Sequence, residues 1–153
     1  MKNQYRIAVT LMLTSLLTAV FSVAYAQPTT LKSASGINFM NGGIGREEVE
    51  EMRLVAKKFP LQILLSEGKT GTALADVELV ITDNNKQTVF TLHKAGPMLY
   101  VDLPAGKYKV TGKYNEVKQS HVITLIAGEK SQRLILNWKS DVVEYQPEEV
   151  TPQ

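Results

Sequence analysis

The spacing of apolar residues along the chain changes at Pro60. Before it, segment 46–59 (REEVEEMRLVAKKF) repeats apolar side chains at intervals of three, four and three residues, at Val49, Met52, Ala56 and Phe59. This is the period of an amphipathic helix. Glutamates crowd its first turns and two lysines its last, as the helix dipole favours. Because proline disfavours a helical residue before it, the pattern predicts one helix of about three turns that ends at Pro60.

From residue 61 onward the apolar period is two, and Gly, Pro, Asn and Asp interrupt it every eight to twelve residues. Such spacing is typical of short strands joined by tight turns. The predicted strands are 61–67, 75–83, 87–93, 98–102, 107–114, 119–127 and 131–138. The sequence therefore predicts a mainly β fold, a seven-stranded antiparallel β-sandwich with one N-terminal amphipathic helix.

Strand alternation separates inward from outward side chains. One face of each of three strands is apolar or aromatic, at Val77, Leu79 and Ile81; Tyr108, Val110 and Tyr114; and Leu134, Leu136 and Trp138. We expect these faces to form the core. The opposite face of 107–114 carries a lysine stripe, Lys107, Lys109 and Lys113, which suits a protected edge strand or a mild basic contact surface. Tyr100 is expected to face solvent with this stripe.

The first 26 residues have the three-part pattern of a secretory signal peptide. Lys2 and Arg6 precede an uncharged apolar run, 7–23, and small residues at Ala24 and Ala26 suit cleavage before Gln27. A permanent membrane anchor is the weaker reading, because the run is short, contains Ser and Thr, and lacks a following basic cluster. We therefore expect a periplasmic protein with no membrane span after cleavage.

These patterns divide the chain into five parts: a signal peptide, 1–26; a flexible lead-in, 27–36; a glycine hinge and helix, 37–60; the β-sandwich, 61–139; and a disordered acidic tail, 140–153. Removing the leader takes away two bases, so the 17 basic residues of the chain fall to 15, equal to its 15 acids. A neutral domain does not favour nucleic acid as a partner. The chain has no cysteine, which excludes disulfides and a lipid-modified N-terminal Cys.

Segments 73–83 (ALADVELVITD) and 103–114 (LPAGKYKVTGKY) resemble the carboxypeptidase regulatory-like domains, which have a transthyretin-like, prealbumin-type sandwich fold. LPAGKY matches their recurring Leu-Pro-x-Gly-x-Tyr turn, whose tyrosine, here Tyr108, packs inward. NGGIGREEVEEMR at 41–53 is similar to the opening of a group of small exported proteobacterial proteins that carry this domain. The resemblance covers about residues 37–138 and implies a fold without implying an activity.

Candidate chemistry is sparse. Gly42, Gly43 and Gly45 precede a helix and could cradle an anion, but no P-loop lysine follows and the nearby glutamates would repel phosphate. His93 and His121, with Asp83 or Asp102, lack the paired spacing of a metal site. No serine lies in a nucleophile elbow. The sequence predicts no catalytic residue, no cofactor and no metal.

We therefore expect a non-enzymatic structural or protein-interaction module whose partner is another periplasmic protein. The candidate interaction surface comprises Gly42, Gly43, Gly45, Arg46, Glu47, Tyr100, Lys107 and Lys109. The alternative is a carbohydrate or cell-wall glycan binder, in which Tyr100, Tyr108, Tyr114 and Trp138 would form a sugar platform. The ligand and the oligomeric state stay open.

Overall fold

A computed structural model describes residues 30–139, so the predicted signal peptide, the first three residues of the lead-in (27–29) and the acidic tail lie outside the described residues. Helix α1 is Arg46–Val55 and continues as a 3-10 turn, Ala56–Lys58. The strands are β1 Leu31–Lys32, β2 Asn38–Gly42, β3 Leu61–Glu67, β4 Thr72–Ala73, β5 Val77–Asp83, β6 Thr88–Ala95, β7 Met98–Val101, β8 Gly106–Tyr114, β9 Val117–Leu125 and β10 Gln132–Trp138.

The strands form two sheets, which confirms a mainly β, sandwich-like fold with one helix. One sheet has the order β1-β2-β7-β3-β10, with β4 attached to β3, and the other has the order β6-β5-β8-β9. All seven predicted strands are present, but the count of seven is wrong for the described residues because β1, β2 and β4 add to it. Strand β2 was missed because it is short and its last residue, Gly42, opens the glycine segment.

The prediction of a purely antiparallel sandwich is also wrong. Strands β3 and β10 run parallel, with Gln132 opposite Leu61 and Trp138 opposite Glu67. Strand alternation alone carries no information about the direction of a neighbour that lies about 70 residues away in the chain. This parallel pairing places the start of β10 beside the start of β3.

The core between the sheets follows the predicted faces. Val77, Leu79 and Ile81 of β5 are fully buried against Leu136 of β10 and the inward side chains of β3. Tyr108, Val110 and Trp138 are buried as expected. Tyr114 is half-buried, and its ring meets that of Trp138 edge-on, with centroids 6.3 Å apart.

Helix α1 covers the outer face of the larger sheet. Met52, the buried residue of the helix, packs with Phe59 against Met40, Met98 and Tyr100 of that sheet. The fold therefore has three layers, the helix, the six-stranded sheet and the four-stranded sheet. A strand covered on both faces reads as a continuous apolar run rather than an alternating one. This explains the sequence LQILL in β3, where Leu61, Ile63 and Leu65 face the core.

This arrangement makes the predicted exposure of Tyr100 wrong, and the sheet order makes the predicted edge position of the lysine stripe wrong, although its exposure to solvent is confirmed. Tyr100 was expected to face solvent, yet it is 2% exposed beneath the helix, with its ring 5.9 Å from that of Phe59. The stripe of Lys107 and Lys109 was expected on an edge strand, yet β8 lies between β5 and β9. Both lysines are exposed on the solvent side of the four-stranded sheet, where no helix covers them.

The LPAGKY segment forms a side-chain-anchored turn. The hydroxyl of Tyr108 donates a hydrogen bond to the carbonyl oxygen of Pro104 at 3.0 Å. A Cβ on Gly106 would lie 3.2 Å from that hydroxyl, so a larger residue there would crowd the bond. The tyrosine thus fixes the loop between β7 and β8, in the manner of the tyrosine corner known from other sandwiches.

Candidate functional site: a basic groove at one end of the sandwich

The residues predicted as an interaction surface do not come together. Gly42, Gly43, Gly45, Arg46 and Glu47 lie where β2 passes into the helix. Tyr100 is buried between the helix and the sheet, and the two lysines lie on the outer face of the other sheet. The predicted surface is therefore three separate places rather than one site.

Backbone N–H groups of the glycine segment already bind a carboxylate of the same chain. The Glu48 carboxylate oxygen Oε2 accepts hydrogen bonds from the backbone N–H of Gly43 at 3.1 Å and of Ile44 at 2.7 Å. Glu48 is the third residue of the helix, the position from which a glutamate reaches back to the preceding backbone. These two N–H groups are therefore committed within the chain, which argues against an anion cradle for an external ligand.

Close packing explains why glycine occupies positions 42 and 43, since a Cβ on Gly42 would meet the Glu48 carboxylate and lie 3.2 Å from Met52 Sδ. The side-chain amide of Asn41 accepts from Gly96 N at 2.7 Å and donates to Lys94 O at 3.1 Å, which holds the β6–β7 turn against β2. Gly43 has φ +91°, and a Cβ there would lie 2.7 Å from Met98 Cγ. The buried glycines of this segment thus attach the helix to the sandwich, and Arg46 on the exposed side pairs with Glu50 at 3.2 Å.

The two histidines do not form a site. His93 lies on β6, with Nδ1 3.9 Å from Glu78 Oε1, and His121 lies on β9. These strands are opposite edges of the four-stranded sheet, and three strand spacings of about 4.8 Å separate them by about 14 Å. Both imidazoles are exposed. Within residues 30–139, no three His, Asp or Glu side chains are grouped to hold a metal ion.

A groove of about 810 Å³ opens at the end of the sandwich away from the start of the helix. Four parts of the chain form it: the 3-10 turn with the start of β3, the β7–β8 loop, the β9–β10 loop, and the start of β10. Its lining is Lys57, Lys58, Pro60, Gln62, Leu103, Ala105, Leu125, Ile126, Ala127, Gly128, Glu129, Lys130, Ser131 and Arg133. We call this the basic groove.

The charged side chains that line the basic groove are mostly of one sign. Four of its lining side chains are cationic, Lys57, Lys58, Lys130 and Arg133, and one is acidic, Glu129. Apolar side chains lie among them, and Ile126 is 56% exposed. A concave surface that combines cations with apolar contacts attracts an anionic ligand and also offers it apolar contact area.

Gln62 connects the groove to the interior. It is 6% exposed, its Nε2 donates to Ala56 O at 2.9 Å, and its Oε1 accepts from a terminal nitrogen of Arg133 at 3.5 Å. The pairing of β3 with β10 sets Arg133 directly opposite Gln62. The buried amide of Gln62 thus lies next to the guanidinium of Arg133 at the edge of the groove.

Tyr100 lies close to one of these cations, Arg133, and to Arg53 of the helix. Burial raises the pKa of its hydroxyl above the ordinary value, and the positive charges of Arg133 and Arg53 act in the opposite direction. Tyr100 is paired with Gln62 across β7 and β3. The buried tyrosine, the glutamine and Arg133 thus form the wall between the helix layer and the basic groove.

Sequence reasoning missed the basic groove because its residues come from segments with other local explanations. Lys57 and Lys58 complement the helix dipole, and Lys130 follows a turn. Only the parallel pairing of β10 with β3 brings Arg133 to the end of the helix. The one signal in the sequence was that three of these four cations lie within two residues of Pro60 or Ser131, at the boundaries of predicted elements.

Comparison with protein-family models, curated proteins and solved structures finds no match for the chain. Within residues 30–139, no helix is long and apolar enough to cross a membrane. Function must therefore be inferred from the geometry and charge of the groove.

Proposed function

We propose that the protein is an exported, non-enzymatic interaction module whose basic groove binds an acidic segment of a periplasmic partner protein. The observation that carries the proposal is the set of four cations against one acid around a single concavity. Arginine and lysine clusters recognise acidic motifs in proteins through charge-assisted hydrogen bonds. The apolar lining suits a polypeptide, which presents apolar side chains between its acids.

A protein partner is favoured over a glycan. Stacking on sugars needs exposed aromatic rings, whereas the aromatic side chains of residues 30–139 are buried or, for Tyr114, half-buried. The glycan alternative therefore lacks the aromatic platform in the described part of the chain. The cationic side chains of the basic groove suit carboxylates instead.

Export and fold type are parts of the same proposal. We propose cleavage after Ala26, which N-terminal sequencing of the periplasmic product would test by a first residue of Gln27. We further propose a carboxypeptidase regulatory-like sandwich, supported by the Leu-Pro-x-Gly-x-Tyr turn in which the Tyr108 hydroxyl bonds Pro104 O. Such a domain supplies a rigid frame for loops and carries no catalytic group of its own.

The binding test uses the mature chain and a fluorescent peptide of repeated Glu-Glu-Val-Ser units, with a Gln-Gln-Val-Ser peptide as the neutral control. We expect the acidic peptide to bind more tightly, and its affinity to fall as salt rises. The double variant Lys130→Gln/Arg133→Gln should weaken binding by about tenfold or more, the equivalent of one or two charge-assisted bonds.

A charge-matched control lies on the other sheet. The double variant Lys107→Gln/Lys109→Gln removes the same charge from the exposed face of β8 and should leave affinity within about twofold. Equal loss in both double variants would mean that net charge alone attracts the peptide. Equal affinity for the acidic and neutral peptides would refute the proposed function.

A further inference from the structure

Strand β9 forms a long free edge beside the basic groove. It pairs with β8 over nine residues, from Val117 to Leu125, and no described strand lies on its other side. Its register with β8 has no irregularity. The opposite edge of the same sheet, β6, shifts register twice against β5, and such irregularities discourage strand addition. The β9 edge lacks that protection.

The hairpin turn fixes which backbone groups of β9 are unpaired. Asn115 and Glu116 both have positive φ, 43° and 62°, as in a two-residue type I′ turn. In such a hairpin the residues flanking the turn, Tyr114 and Val117, exchange both backbone hydrogen bonds. Bonded and non-bonded pairs alternate, so the N–H and C=O groups of alternate residues point away from β8, at Lys118, Ser120, Val122 and Thr124.

This row of backbone groups leads to the groove from the start of β9, where Trp138 Nε1 donates to Val117 O at 3.0 Å and Gln119 Nε2 donates to Asn137 O at 2.7 Å. Each residue of the row has its side chain exposed on the solvent face of the sheet, and Val122 is 62% exposed. At its far end, β9 reaches Leu125 and Ile126, which line the basic groove. An added strand running antiparallel to β9 would therefore have its N-terminal end at the groove.

We propose that β9 receives an extended segment of the partner as an added antiparallel strand, with acids at its N-terminal end in the basic groove and β-branched residues along β9. Unpaired backbone groups supply the affinity of such strand addition, and side chains supply the specificity. The placement of the acids in the basic groove rests on the proposed function. The strand pairing is argued from the free edge of β9 alone.

The affinities of three peptides for the mature chain test strand pairing and charge recognition separately. The reference peptide has three glutamates followed by Val-Thr repeats. A second version has backbone N-methyl groups on every residue of the repeats, which removes strand pairing through either edge of the peptide and keeps the charge. A third has glutamines in place of the glutamates, which removes the charge and keeps strand pairing. We expect each change to weaken binding by about tenfold or more.

Variants of the protein provide the reciprocal test. Val122→Pro removes an outward N–H that β8 does not use, and proline is tolerated at such edge positions. Val122→Pro should weaken binding of the reference peptide by about tenfold. Val122→Ala, which keeps the N–H, should change the affinity by less than about threefold. Far-ultraviolet circular dichroism checks that both variants retain the fold.

Other outcomes overturn the inference in distinct ways. Equal binding of the N-methylated and reference peptides would refute strand addition and leave the groove proposal intact. Equal binding of the glutamine peptide would refute the groove and leave strand addition intact. If sedimentation of the protein alone shows a dimer that Val122→Pro dissociates, the occupant of the edge is a second copy of the chain and the partner-strand proposal is wrong.

Discussion

The Glu48 carboxylate accepts a hydrogen bond from the backbone N–H of Ile44 at 2.7 Å, which ties the start of helix α1 to the strand before it. The same oxygen accepts from Gly43 N at 3.1 Å. The helix begins after Gly45, which has no side chain to cap it, so Glu48 performs the capping from within the first turn. This contact gives the glycine segment a structural role.

Replacing Glu48 should therefore destabilise the fold. Glu48→Ala leaves two backbone donors without their partner and should lower the free energy of unfolding by about 0.5–2 kcal/mol. Glu47→Ala removes another acid of the first turn, one whose side chain is exposed, and should cost less than about 0.5 kcal/mol. Urea unfolding of the two variants measures the difference, and equal costs would contradict a capping role.

The two positive-φ glycines before the helix separate backbone strain from side-chain crowding. Gly45 has φ +90° with open space at its Cβ position, whereas Gly43 has φ +91° and faces Met98 Cγ at 2.7 Å. Gly45→Ala should cost about 1–3 kcal/mol of backbone strain, because φ +90° with ψ 156° is a conformation that essentially only glycine adopts. Gly43→Ala should cost about 1–3 kcal/mol more from overpacking. Thermal unfolding would contradict this account if the two variants had the same midpoint.

Docking of the helix on the sheet is testable at two neighbouring positions. Met52 is buried against the sheet, and Leu54 is 84% exposed on the other side of the helix. Met52→Ala should lower the free energy of unfolding by about 2–5 kcal/mol. Leu54→Ala should change it by less than about 0.5 kcal/mol. If the helix did not pack on the sheet, both substitutions would change the free energy of unfolding by small and similar amounts.

The hydroxyl of Tyr108 makes stability fall at alkaline pH. Burial raises its pKa, and the charge of Asp83 raises it further. Since the folded pKa lies above the ordinary value of 10.0, this contribution is complete below about pH 10 and is lost as pH rises through the folded pKa.

Tyr108→Phe isolates that contribution. Near pH 8 the variant should be less stable by about 1 kcal/mol, because it lacks the hydrogen bond to Pro104 O. The difference in stability between the natural chain and the variant should narrow above pH 10, because only the natural chain has a phenol at this position to ionise. Urea midpoints measured across this range check the prediction, and a gap that widens with pH would contradict it.

The sequence predicted the elements and the inner faces of this fold well, because strand period and helix period are local signals. Val77, Leu79 and Ile81 lie in the core as their alternation required, and Met52 lies on the buried side of the helix. Tyr100 was wrongly predicted to face solvent. Alternation separates the two faces of a strand, but it does not show that a helix covers the outer face. That information lies in the tertiary packing.

The basic groove was beyond sequence reasoning for a related reason. Gln62 and Arg133 are 71 residues apart and meet only because β3 and β10 pair in parallel. In the sequence, Gln62 is a polar residue within an apolar strand, and Arg133 is an exposed residue of another strand. Neither position indicates a shared site. By contrast, the glycine segment is conspicuous in the sequence, and the structure explains Gly43 by close packing at Met98 and Gly45 by its positive φ.

The most direct test of the account is a nuclear magnetic resonance titration of the chain from Gln27 to Gln153 with the Glu-Glu-Val-Ser peptide. The account predicts amide shift changes in the basic groove, at residues 57–60, 103–105 and 126–133, and along the adjoining strand β9, at residues 117–125, with smaller or no changes at residues 107–113. Shift changes centred on the lysines of β8, or on the glycine segment at 42–45, would contradict it.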